Sequence, residues 1–247
     1  MADGYFVVVP ARFGSERLPG KPLIDLGGVP MVVRVAQRAR LAQAEVVVAT
    51  DHPDIFAAAR EHGLDAEMTS PEHLSGSDRV MEVAARRDWP EDAVVVNVQG
   101  DEPLIPPAVI RQVSRALHDD PGTGAVTLCE PVHDPTRAAD PNVVKVVRRA
   151  DGCALYFSRA AVPHVRDAAG EPAPWLRHIG LYGYRLRVLR QFVSLSPSSL
   201  ERLERLEQLR LLENGVALKV LTACESVPEG GDTDADVARV RELLARE

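Results

Sequence analysis

The sequence predicts an α/β protein built on one doubly wound, mostly parallel sheet, with a small α+β subdomain in its second half. Three observations carry that prediction. Apolar runs at Tyr5–Val9, Glu45–Ala49 and Ala93–Val98 are nearly continuous, as strands covered on both faces require. Segments with helical spacing separate them. After about residue 135 that alternation stops.

The elements follow in order. Tyr5–Val9 leads through a long loop to a helix at Met31–Leu41, and Glu45–Ala49 leads to helices at Asp54–His62 and Asp78–Arg87. Ala93–Val98 precedes a helix at Pro107–Leu117, opened by a proline whose missing N–H has no helical partner to lose. Ala125–Leu128 is a weaker strand. Val143–Val147 and Ala154–Phe157 read as strands of a separate, antiparallel region, Val162–Trp175 as a loop, and Ile179–Tyr184 as another strand. Leucines at 200, 203, 206, 209, 211 and 212 predict one amphipathic helix over Leu200–Leu212, stopped at Asn214-Gly215. Val216–Leu221 is a last strand and Asp232–Ala245 a last helix. One domain over 1–247 is expected, with a subdomain at about 135–200.

Composition narrows the functional classes. The chain has 247 residues, 45% of them apolar, enough for a sizeable core. A net charge of −7 argues against general nucleic-acid binding. Cys129, Cys153 and Cys224 are odd in number, far apart and form no C-x-x-C, so reduced thiols and a cytoplasmic location are expected. No run approaches the roughly 20 apolar residues of a membrane span, and the one after Met1 is too short for a signal peptide.

The loop Pro10–Leu23, PARFGSERLPGKPL, is the first candidate site. It holds Arg12, Arg17, Lys21, Ser15 and two glycines at the end of a buried strand. Glycines let backbone N–H groups approach phosphate oxygens, and the cations neutralise them. It is not a Walker A loop, because five residues separate Gly14 from Gly20 and Pro22 follows Lys21. It is not a dinucleotide fingerprint either, because the glycines are not spaced G-x-G-x-x-G.

Other segments carry chemistry of their own. Val94–Val98 runs into Gln99-Gly100-Asp101-Glu102-Pro103, and an aspartate where a buried strand ends suits a divalent cation beside phosphates. Ser75-Gly76-Ser77-Asp78-Arg79 reads as a helix start capped by Ser77 or Asp78, and a helix N-terminus suits an anionic group. Asp232, Asp234 and Asp236 alternate after Gly230-Gly231. They are no EF-hand, since Val237 stands where its glycine belongs, and they read as helix caps. His52, His133 and His164 have no neighbour at ligand spacing and read as surface residues.

R-x-x-S-x-R-L-P-G-K-P-L, S-G-S-D-R, V-N-V-Q-G-D-E-P, F-S-R, L-R-H-I-G-L-Y-G-Y-R and L-E-Q-L-R occur here in that order. Together they resemble the 3-deoxy-manno-octulosonate cytidylyltransferase family over nearly the whole chain. The resemblance implies a nucleotide-diphospho-sugar transferase-like fold, magnesium dependence, a homodimer and a role in lipopolysaccharide biosynthesis. It implies that Arg17, Lys21 and Asp101 are catalytic. Arg12, Ser15, Arg17, Lys21, Ser75, Gly76, Ser77, Arg79 and Gln99 would bind the nucleotide. Gln99, Arg159, His178, Tyr182 and Glu207 would bind the acceptor, and Asp101 and Asp232 the metal. Glu16 and the Val162–Arg166 segment depart from the family pattern, leaving open another ulosonic acid or a phosphonate as acceptor. A nicotinamide-dependent oxidoreductase and a non-catalytic nucleotide-binding protein are the other classes.

Overall fold

The structure is a computed structural model that describes residues 4–14, 18–166, 175–231 and 233–245. Its centre is a mixed sheet. β1 (Phe6–Ala11), α1 (Met31–Arg40), β2 (Glu45–Thr50), α2 (Pro53–Glu61), β3 (Asp65–Met68), α3 (Gly76–Arg86) and β4 (Val94–Asn97) form its parallel half. α4 (Pro107–Asp119), β5 (Ala125–Val132), α5 (Pro135–Ala139) and the β6 (Lys145–Arg148) and β7 (Ala154–Ser158) hairpin follow. β8 (Trp175–Arg185), α6 (Leu186–Ser194), α7 (Ser199–Glu204), α8 (Leu209–Glu213), β9 (Lys219–Thr222) and α9 (Asp234–Leu244) complete the chain.

The strand order is β3-β2-β1-β4-β8-β5-β9, with β6 and β7 off this path. Only β8 runs against the rest of the path, inserted between β4 and β5. The two sheet faces share out the side chains of each apolar run. Val7 and Val9 face α1, α2 and α4, while Val8 faces α3, α6 and α8. Val46 and Val48 divide from Val47 and Ala49 in the same way. Fully burying one such side chain is worth about 1.5–3 kcal/mol, so the continuous apolar runs are what make both helix layers stable. A third cluster of Leu18, Leu26, Met31, Leu104, Val237 and Val240 fastens α9 to the loops after β1 and β4.

Four elements differ from the sequence reading. β3 was not expected; two of its four residues are acidic, and it lies at the sheet edge. The short α5 was not expected either. α6 starts at once from the end of β8, with no capping side chain to announce it. The predicted Leu200–Leu212 helix is two helices, because Arg205 adopts a left-handed conformation (φ 54°). Its cause lies far off in the sequence. The Arg159 guanidinium donates to the carbonyls of Glu204 (2.7 Å) and Arg205 (3.4 Å), groups that a continuing helix would have claimed, and is held from the other side by the Pro141 carbonyl (2.8 Å). The Glu204 carboxylate in turn accepts from Ser158 Oγ and the Arg159 N–H.

β8 carries a bulge. Thr127 of β5 faces Tyr182, while Leu128 faces Ile179, so Gly180 and Leu181 have no opposite residue. Beyond the bulge, Gly183 packs against α4, where a Cβ would lie 2.4 Å from Val113 Cγ1 and 2.9 Å from Leu117 Cδ1. Gly183→Ala should therefore destabilise the fold by about 1–3 kcal/mol through overpacking, as read from urea unfolding. An unchanged midpoint would mean that α4 yields freely.

Candidate active site

The loops after β1, β3 and β4 open at the carboxyl ends of their strands, where ligands of open α/β sheets bind. Together with β8 and the α7–α8 junction they enclose a cleft of about 730 Å³. Arg12 and Lys21 line it from the first loop, Ser75, Gly76 and Arg79 from the start of α3, and Gln99 and Asp101 from the end of β4. His178 and Tyr182 enter from β8 and Glu207 from the junction. Ten of the residues expected at the site thus share one cavity. Ser77 and Arg159 are not on its wall. Ser15, Glu16, Arg17 and Asp232 lie outside the described residues.

The charged centre is an ion pair. Lys21 Nζ donates to Asp101 Oδ2 at 2.5 Å, and Lys21 is only 7% exposed. Backbone features at three glycines bring the pair together. Gly20, at φ 67°, starts the single turn that aims Lys21. A Cβ on Gly100 would sit 2.8 Å from the Pro10 carbonyl, so the loops after β1 and β4 touch only because that side chain is missing. The Gly231 N–H donates to the Asp101 carbonyl (2.9 Å), which docks the approach to α9 on the same loop.

The start of α3 is a capping box. Ser75 Oγ accepts from the Asp78 N–H (3.2 Å), and Asp78 Oδ2 accepts from the Ser75 N–H (3.0 Å). Behind it the buried Ser77 hydroxyl donates to Glu207 Oε1 (2.9 Å), tying α3 to the junction. Burial pushes the Glu207 carboxyl above its ordinary range, against the opposing effects of Ser77 and Arg210. Arg159, expected at the acceptor, instead shapes that junction through the carbonyls it binds. Arg210 pairs with Glu201 (2.8 and 2.5 Å) beneath it.

Several lining residues were not singled out from sequence. They include His73, Leu74, Arg205, Leu206 and Gln208. Gln208 stands inside the L-E-Q-L-R string, so the motif itself held the signal. His73 is fixed by Glu82, which its Nε2 meets at 2.5 Å and which also accepts from the Ser70 N–H. His52, read as an idle surface residue, caps α2 and stacks on Phe13.

No group of three or more His, Cys, Asp or Glu side chains gathers to hold a metal among the described residues. Magnesium needs no such cage, since one or two carboxylates with phosphate oxygens and waters suffice. The Asp101 carboxylate, already beside a cation on the cleft wall, fits that donor set.

A family profile described as Cytidylyltransferase matches residues 6–220. The chain belongs to the cytidylyltransferase family. Proteins named 3-deoxy-manno-octulosonate cytidylyltransferase from Saccharophagus degradans and Chromohalobacter salexigens are 48% and 54% identical to it. Each alignment covers 97% of this chain, and 98% and 96% of the respective relative. A solved structure of a CMP:2-keto-3-deoxy-manno-octonic acid synthetase complexed with CTP superimposes with a TM-score of 0.91 at 41% identity, over 98% of this chain and 99% of its own.

In this cytidylyltransferase the β8 bulge sets the state of His178. The single Thr127 hydroxyl proton is directed at the carbonyls of Ile179 (3.0 Å) and Leu181 (2.9 Å). The Thr127 lone pair therefore accepts from His178 Nε2–H (2.9 Å), leaving Nδ1 as an acceptor. Burial, with the nearby Arg177 guanidinium second, lowers the His178 pKa from 6.5 to about 3. Burial likewise raises the Tyr182 phenol well above 10, so it remains a donor.

The His178 shift has a signed consequence. Between about 6.5 and about 3 the unfolded chain takes up a proton at this site that the folded enzyme refuses. Stability should therefore fall as pH drops through that window, by at most about 1.4 kcal/mol per pH unit from this group. In His178→Gln, unfolding measured at several pH values should show a shallower acid loss than wild type. Equal slopes would contradict a neutral buried imidazole.

Proposed function

We propose that this cytidylyltransferase transfers CMP from CTP to 3-deoxy-manno-octulosonate, giving the CMP-linked acid and pyrophosphate. One observation carries the reading. A cationic loop, an acidic strand end and a cluster of neutral hydrogen-bonding groups face the same cleft, in a chain about half identical to enzymes named for that reaction.

The acceptor's anomeric hydroxyl attacks the α-phosphorus, and the bond to pyrophosphate breaks. Positioning and charge neutralisation dominate such a transfer. Arg12, Arg17 and Lys21 neutralise the triphosphate and the departing pyrophosphate, with Ser15 on the same loop. Ser75 and Gly76 present the N-terminus of α3 to the nucleotide, and Ser77 and Arg79 support them from below. Gln99, His178, Tyr182 and Glu207 orient the acceptor's hydroxyls, His178 through its Nδ1 lone pair. Arg159 serves indirectly, by holding the junction that carries Glu207.

Asp101 and Asp232 would hold magnesium. The Gly231 N–H on the Asp101 carbonyl supports that pairing, since Gly231 immediately precedes Asp232 in the chain. When bound, the ion would withdraw charge from the phosphates and acidify the attacking hydroxyl. The same reading gives residues about 135–200 the acceptor-binding and dimerisation roles, since β8 supplies His178 and Tyr182. It makes the enzyme a cytoplasmic homodimer. No helix of the described residues is long and apolar enough to cross a membrane.

Purified protein given CTP and magnesium should release pyrophosphate with 3-deoxy-manno-octulosonate, and much more slowly with other ulosonic acids or a phosphonate. Preference for one of those acids would reassign the acceptor. Asp101→Asn should lower turnover at least about 10²–10³-fold, the scale of losing one preorganised electrostatic group, with an unaltered circular dichroism spectrum. Near-normal turnover in that variant would remove Asp101 from the chemistry.

A further inference from the structure

Asp51 stands one residue beyond β2 and belongs to none of the motifs that mark the site. Its carboxylate is 16% exposed, and each oxygen has a different partner. Oδ1 accepts from the Phe13 N–H (3.3 Å), in the loop after β1. Oδ2 accepts from Arg79 Nη2 (2.9 Å), in the first turns of α3. The other Arg79 terminal nitrogen donates to Thr69 Oγ1 and to the Ser70 carbonyl (3.2 Å), which start the loop carrying His73 and Ser75. So although Arg79 lines the cleft, its guanidinium is engaged by the protein rather than turned to a ligand.

The neighbours of Asp51 act on the same two walls. The His52 ring stacks on Phe13 with centroids 3.9 Å apart and planes within 14°. The Phe13 ring also lies beside Gly20, where an added Cβ would meet it at 3.7 Å. The Thr50 carbonyl accepts from the Thr69 N–H (2.7 Å) and hydroxyl (3.1 Å). Three consecutive residues thus fasten both flanking loops to the rigid sheet. A glycine-containing loop needs such an anchor, since glycine gives up the most conformational freedom on being ordered. A buried guanidinium likewise needs a charged partner.

We infer that Asp51 is a positioning residue for the triphosphate: one carboxylate fixes the spacing between the cationic loop and the loop leading to α3. This rests on the CTP-dependent reading above. It assigns Asp51 no contact with the nucleotide, and its effect should fall on CTP and not on the acceptor.

The test is calorimetric titration of CTP with magnesium into wild type, Asp51→Asn and the double variant Asp51→Asn/Arg79→Met. The double variant leaves no buried guanidinium without its carboxylate. In both variants the CTP Kd should rise about tenfold, equivalent to roughly 1.4 kcal/mol. At saturating CTP the KM for 3-deoxy-manno-octulosonate should stay within about twofold, since that interaction is untouched. Melting temperatures should remain close to wild type in the double variant. An unchanged CTP Kd in both variants overturns the inference. So does a parallel rise in CTP Kd and acceptor KM with a lowered melting temperature, which would make Asp51 a general structural support. Failure of the wild type to bind CTP would instead overturn the function itself.

Discussion

The Lys21–Asp101 pair is the contact on which the rest of the site depends. It bridges the loops after β1 and β4 at 2.5 Å, with the lysine almost fully withdrawn from water. Withdrawing the lysine's charge from water is costly unless it has a partner, so this geometry persists only because the two loops are held together. Gly100 permits that approach, and the small cluster around Leu18, Met31 and Leu104 maintains it. Under the proposed chemistry both charges exchange partners when substrate arrives, the lysine toward phosphate and the aspartate toward the cation. Lys21 is already desolvated and both groups are already oriented, so little reorganisation is left for the reaction itself.

The wall proposed to take the acceptor depends on a different device. β8 is the one strand that runs against the main path of the sheet, and its bulge faces the cleft. Thr127 fills the bulge and selects which nitrogen of His178 carries the proton. Opposite it, Arg159 interrupts what would be a single helix, so that Leu206, Glu207 and Gln208 turn into the cavity. Under the proposed reaction, cationic phosphate chemistry and neutral hydroxyl recognition would therefore sit on separate scaffolds that meet across one cleft.

Much of this was legible in the sequence, for physical reasons. Parallel strands covered on both faces leave nearly unbroken apolar runs, so β1, β2 and β4 were found. Asp101, Ser75 and Gly76 stand at strand or helix ends and Lys21 in the cationic loop after β1, where the neighbouring element marks the residue. β3 was hidden because an edge strand tolerates Asp65 and Glu67. The split of the leucine helix was hidden because leucine spacing reports burial, whereas the break is made by a guanidinium 46 residues away from Arg205. The same distance effect hid the hold of Arg159 on the α7–α8 junction and left His52 without a role.

The most direct measurement is a crystal structure with CTP and manganese, located by its anomalous scattering. The account requires the manganese peak at coordination distance from Asp101 and Asp232, with the triphosphate against Arg12, Arg17 and Lys21 and the Lys21–Asp101 contact opened. A peak elsewhere, or a triphosphate outside this cleft with that contact intact, would contradict it.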